Sequence, residues 1–140
     1  MYKAIDLAKY IVNKCTVEQH PVSNLQLQKI LYYIQREYTK KDDWAFSDSI
    51  EAWQFGPVVP NVYYRFAASG AMPIEMKYSD VQIEKKDIDI IDPIIEEKRL
   101  LKPWVLVEET HRPGEAWYKT YKNGEGYRAV ITNELIREDV

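Results

Sequence analysis

The sequence predicts a mainly α, α+β fold: a compact bundle of about five to six helices with a short strand element near residues 50–55. Three observations lead there. Apolar residues recur at helical spacing through residues 2–16 and again after Ser23. An alternating, aromatic-rich run occupies residues 50–55. Prolines then stand at the first turn of later apolar segments, at Pro60, Pro93 and Pro103. The 140 residues suit one domain, 1–140, because no repeat, low-complexity tract or long linker divides them.

In residues 2–16, Ala4, Leu7, Ala8, Ile11 and Cys15 share one face of a 3.6-residue period, and Lys3, Asp6, Lys9 and Lys14 fall largely outside it. His20-Pro21-Val22 breaks this helix. Ser23 with Gln26 three residues on has capping-box spacing, so a second helix starts there. Leu27, Ile30, Leu31, Ile34 and Tyr38 form its apolar stripe. The short link predicts that the two helices pack antiparallel.

Residues 40–43 read as a polar loop and 50–55 as a strand that Gly56-Pro57 ends. Pro60 opens a third helix, with Val62, Tyr63 and Phe66 on its apolar face and Ser69-Gly70 as its stop. Residues 71–78 read as loop. In the Ile-rich acidic stretch that follows, Ile88, Ile91 and Ile95 suit a helix, and Asp92-Pro93 offers an N-cap and first-turn pair where a helix starts or kinks. Residues 102–111 make another helix, entered through Pro103, and Arg112-Pro113-Gly114 a turn. One helical turn is expected at 115–119, and Thr132 caps a last helix through Arg137.

Composition narrows the function. The chain is 46% hydrophobic and 29% charged, ordinary for a folded soluble domain, and its four Trp and eleven Tyr supply core area easily. Net charge is −3; residues 1–66 carry eight basic and seven acidic groups, residues 67–140 eleven and fifteen. Neither half is basic, so nucleic acid is not an expected direct partner. One cysteine, Cys15, permits no intrachain disulfide and fits a reducing cytoplasm. No apolar run approaches the roughly 18 residues of a membrane span, and the opening residues lack a signal-peptide layout. The expected location is cytoplasmic, with no membrane partner.

The search for chemistry returns little. Glu108 and His111 form one Glu-x-x-His pair with no second pair to complete a di-metal site, and one Cys with two His is too few for zinc. No metal and no cofactor is expected. Cys15 and His20 would make a nucleophilic dyad, but Cys15 lies on the apolar face of the first helix, where a cysteine acts as a small hydrophobe. No Gly-x-Ser-x-Gly elbow or phosphate-cradling glycine loop is present. The expectation is a protein that is not an enzyme. His111 ends a helix just before a Pro-Gly turn, where it can serve the terminal carbonyls, and Trp117 is placed to pack on it. The dense segment Glu51-Ala52-Trp53-Gln54-Phe55-Gly56-Pro57-Val58-Val59-Pro60-Asn61-Val62-Tyr63 reads either as a rigid corner of the core or as a presented binding edge.

That segment, in its order of residues, resembles the central motif of the Panacea domain family of SocA-like antitoxins. The earlier run Leu27-Gln28-Lys29-Ile30-Leu31-Tyr32-Tyr33 is similar to the family's leucine–lysine–tyrosine signature. Thr110-His111 and Trp117 resemble its late elements, and Ile131 to Ile136 its closing segment. Ala116 departs from the pattern, which more often has proline directly before the tryptophan. Some relatives carry an added DNA-binding region for which this chain has no room, so operator binding is not expected.

The resemblance implies a phage- or mobile-element-associated bacterial antitoxin, mainly helical, that neutralises a cognate toxin encoded nearby through direct protein–protein contact. An adaptor that binds a host protein, for example to deliver it to a protease, is the second reading. Tyr33, Trp53, Gly56, Pro57, Tyr63, Thr110, His111 and Trp117 are the candidate partner-binding residues, those that shape the recognition surface.

Overall fold

A computed structural model describes residues 1–139. Helix α1 (Ala4–Val17) and helix α2 (Asn24–Thr39) come first. Strands β1 (Ile50–Trp53) and β2 (Gly56–Val58) form a hairpin that runs into α3 (Pro60–Arg65). Helices α4 (Lys85–Lys98), α5 (Pro103–Thr110) and α6 (Ala116–Tyr121) follow, then strand β3 (Val130–Ile131) and α7 (Asn133–Glu138). The molecule is therefore mainly helical with one small antiparallel sheet, ordered β2-β1-β3.

Helix α2 is the axis of the fold. Its capping box forms as its spacing requires: Gln26 N–H donates to Ser23 Oγ (3.2 Å) and Ser23 N–H to Gln26 Oε1 (2.9 Å). Twelve of its sixteen residues are buried. Its stripe thus accounts for only part of its burial, because α1, α4, α5, α7 and β2 all pack around it. The polar residues this encloses are bonded. Gln35, for example, donates to the Phe46 carbonyl (2.9 Å) and accepts from Ala45 N–H (2.8 Å), which fastens the α2–β1 connection to the helix.

Helix α1 buries Ala4, Leu7, Ala8, Ile11, Val12 and Cys15. Its N-terminus has no cap from its own neighbour; Asp48, far along the chain, accepts from Ala4 N–H (2.9 Å) instead. Asp48 also accepts from the Asn61 side chain (3.3 Å), so α1 and α3 meet on one carboxylate.

Three local expectations change. Gly56-Pro57 does not end the strand region but begins the return strand, with Trp53 opposite Gly56 and Ala52 opposite Pro57. Gln54-Phe55 makes the two-residue turn, and β2, as an edge strand, tolerates a proline. Pro93 does not start a helix; it lies inside α4, which begins at Lys85. Ile91 and Ile95, both fully buried, anchor the helix on either side of it. Tyr10 also holds Asp92 by a 2.7 Å hydrogen bond, so tertiary contacts offset the lost backbone bond. Finally, β3 adds a third strand to β1, pairing Ile50 with Ile131 and Glu51 with Val130.

Candidate functional site

The hairpin lies on a buried lysine. Lys29 is fully buried in α2, and its Nζ donates to the Pro57 carbonyl at 3.2 Å. Among the described residues no carboxylate pairs with it, and burial pulls its ammonium down to about 7. Gly56 sits directly above. A β-carbon there would lie 2.8 Å from Lys29 Nζ and 2.9 Å from Thr110 Oγ1, and the backbone at Gly56 has φ +116°. Only glycine fits both the conformation and the space. Thr110 is itself buried, its hydroxyl donating within α5 to the Leu106 and Val107 carbonyls.

His111 and Trp117 brace the same hairpin from the other side. Their rings stack with centroids 3.7 Å apart and planes 3° apart, and Tyr121 stacks on Trp117 at 4.6 Å. The Trp117 indole N–H donates to the Trp53 carbonyl at 2.7 Å. Burial, then the nearby Lys29 charge, hold the His111 imidazole below its usual range, and the Phe55 backbone opposes them. The ring stacks on Trp117, while the backbone N–H of His111 serves the last carbonyls of α5, Val107 and Glu108. Trp53, anchored by its indole N–H to Glu51 (2.9 Å), packs between Tyr63 (5.1 Å) and the Arg128 guanidinium (4.9 Å).

A relay of amides fixes α3 to α2. Val59 N–H donates to Gln28 Oε1 (2.9 Å), Gln28 Nε2 to Asn24 Oδ1 (3.0 Å), and Asn24 Nδ2 to the Tyr63 carbonyl (3.0 Å). Between these supports opens a cleft of about 620 Å³. Trp53, Phe55, Tyr63, Tyr121 and Tyr127 give it aromatic walls. Asn24, Gln28 and Gln54 add amides, and Ala67, Gly70 and Ala71 leave one side low. Among the described residues that line it, none is charged.

Of the sequence-derived candidates, Trp53 and Tyr63 line this cleft. Gly56, Pro57, Thr110 and Trp117 are buried, and His111 is half-buried; they form the support beneath. Tyr33 belongs to a different cluster. Its hydroxyl donates to Glu109 Oε1 (2.7 Å), and Lys98 Nζ reaches the same oxygen (3.2 Å) over the Tyr33 ring. Burial opposes ionisation of Glu109, but the Tyr33 and Lys98 hydrogen bonds outweigh it and hold the carboxyl below its usual range.

Sequence reasoning singled out neither Lys29 nor the rim aromatics Phe55 and Tyr127. Lys29 carried two signals, its place between Leu27 and Ile30 of the apolar stripe of the second helix and its place in the leucine–lysine–tyrosine run; Phe55 carried its place in the central motif, and Tyr127 carried none. The Cys15 thiol is fully buried and pushed up by that burial, which disfavours the reactive thiolate. Among the described residues, no group of three or more His, Cys, Asp or Glu could hold a metal ion. No helix among them is long and apolar enough to cross a membrane.

Fold and site together define a helical domain in which the aromatic segment 51–63 builds a hairpin, and buried side chains hold that hairpin as the wall of an uncharged aromatic cleft. Residues 27–118 match the model of the family described as antitoxin SocA-like, Panacea domain. The chain belongs to this family. It is similar to the antitoxin SocA of Caulobacter vibrioides (strain NA1000 / CB15N), with 37% identity over 83 residues, 59% of this chain. That match covers 42% of the relative's length. No solved structure matches. The family match takes in every candidate from Tyr33 to Trp117; the closing segment from Ile131 lies beyond it.

Proposed function

We propose that the protein is an antitoxin that neutralises a cognate toxin by direct protein–protein contact in the cytoplasm and has no catalytic activity of its own. The observation that carries this reading is what the family motif builds. Its residues form a buttressed hairpin with an open aromatic cleft in front of it, and its one buried cation, Lys29, is sealed beneath Gly56. Aromatic side chains around a cleft are good anchors for a protein interface. The mild acidity of residues 67–140 suits a basic toxin and speeds encounter with it.

The test is co-expression. The neighbouring gene is expressed alone and then with this protein, and growth is measured. Growth arrest that this protein relieves, together with co-purification of the two chains, is the expected result. A harmless neighbour, or toxicity that persists, rejects the reading. In that event, recovery of a host protease on the purified chain would favour the adaptor.

A further inference from the structure

We infer that the cleft between the hairpin and α3 receives an uncharged, apolar segment of the protein partner, anchored by a large aliphatic or aromatic side chain. This deepens the antitoxin reading and rests on it for the identity of the partner.

The lining selects for that chemistry. In a chain that is 29% charged, the described residues lining the cleft include no acid and no base. A charged group entering it would give up water and meet no counter-ion among the described lining residues, which disfavours it against an apolar one. Aromatic walls attract cations in other settings, so the cationic alternative needs a specific argument. Here no carboxylate lines the cleft to assist. The Trp53 face is also already taken by Arg128, which is paired with Glu51 (3.6 Å) and with the Tyr64 hydroxyl (2.9 Å). A second cation would meet a resident one.

Size and rim point to a chain segment. About 620 Å³ exceeds what one side chain fills and lies in the range of sites that bury most of a small ligand. Phe55, at the tip of the hairpin, is 58% exposed and Tyr127 is 54% exposed, so apolar surface continues outward from the cleft. The Asn24 and Gln28 amides are committed to internal bonds, whereas Gln54 is exposed and unbonded among the described residues. It can serve the backbone of an incoming segment.

The full chain, labelled with nitrogen-15, is titrated with N-acetyltryptophanamide and N-acetylleucinamide as uncharged probes, and with N-acetylargininamide and N-acetylaspartate as charged ones. The uncharged probes are expected to shift the Trp53 indole and the Ala67 and Ala71 amides at concentrations at least ten-fold lower than the charged ones. Ala67→Glu and, separately, Ala71→Glu place a carboxylate on an exposed lining position and should abolish those shifts while leaving the rest of the spectrum in place. Both variants should also lose toxin neutralisation that the wild type performs. Equal or tighter binding of a charged probe, absence of shifts in the cleft, or full neutralisation by both variants would each overturn the inference. A wild type that binds the uncharged probes yet neutralises nothing rejects the antitoxin reading and leaves the cleft chemistry standing.

Discussion

A β-carbon on Gly56 would lie 2.8 Å from the ammonium of Lys29. The backbone there, at φ +116°, is also one that side chains rarely adopt. Gly56→Ala therefore meets two penalties, backbone strain and overpacking, and should lose about 3 kcal/mol of stability. Gly114 is the control. Its φ is +87°, with nothing within 4 Å of a β-carbon, so Gly114→Ala should cost only about 1–2 kcal/mol. Urea unfolding of both variants measures the difference; equal losses would sink the role given to the Lys29 contact.

Lys29 makes stability depend on pH in a defined direction. Its folded-state pKa is lowered from 10.5 to about 7, so between those values the unfolded chain holds a proton that the native state has released. Native stability attributable to Lys29 therefore rises as pH increases from about 7 towards 10.5, and is lowest below 7, where the buried group is charged. Each pKa unit corresponds to about 1.4 kcal/mol. Melting temperatures from pH 7 to 9 should rise more in wild type than in Lys29→Met. At pH 7 that variant should be at least as stable as wild type, because it replaces an uncompensated buried ammonium with an apolar chain of similar length. Parallel pH profiles for the two proteins would disprove the assignment.

Trp117 supports the hairpin through its N–H as well as its ring. Trp117→Phe keeps a stacking partner for His111 and Tyr121 but leaves the Trp53 carbonyl without its 2.7 Å donor. It should cost about 1–2 kcal/mol, against about 3–5 kcal/mol for Trp117→Ala. The ring stack should give a near-ultraviolet circular dichroism signal, retained in part by the phenylalanine and lost in the alanine variant. Similar losses in both would place the whole effect in the ring.

Ala116 gives α6 a tie that a proline at that position would remove. Its backbone N–H donates to Asp139 Oδ1 at 2.7 Å, and the other carboxylate oxygen of Asp139 accepts from the Tyr32 hydroxyl. Proline fits the first position of α6 in conformation but has no N–H to give. Ala116→Pro should therefore lose about 1–2 kcal/mol by leaving a buried carboxylate short of one donor. Combined with Asp139→Ala, the proline should add almost no further loss, a result that a double-mutant cycle reads directly. Additive losses in the two variants would argue that the bond is unimportant.

Much of this architecture is written locally. The helical stripe of α1, the Ser23–Gln26 box that starts α2, Pro60 and Pro103 at first turns and Thr132 capping α7 each depend on residues within four positions of one another. Periodicity and capping act at that range, so the sequence by itself determines the helices and their inward faces. It also places the aromatic segment 51–63, but leaves it open between core corner and binding edge. Tertiary structure divides the segment residue by residue: Ala52, Val59 and Val62 face the core, Trp53, Val58 and Tyr63 line the cleft, and Phe55 lines its outer edge and reaches solvent.

Other features are decided only when distant segments meet. Strand β3 is two residues long and forms because β1 offers it an edge. Pro93 stays within α4 because Ile91, Ile95 and the Tyr10–Asp92 bond hold the helix on both sides. Lys29 is buried because α2 is enclosed on all sides by elements from the rest of the chain, which no period along α2 itself can report. Hydrophobic spacing records what a helix presents to its nearest neighbour. Which polar side chains are sealed inside, and which aromatics stay at the surface, depends on long-range packing and is fixed by the fold as a whole.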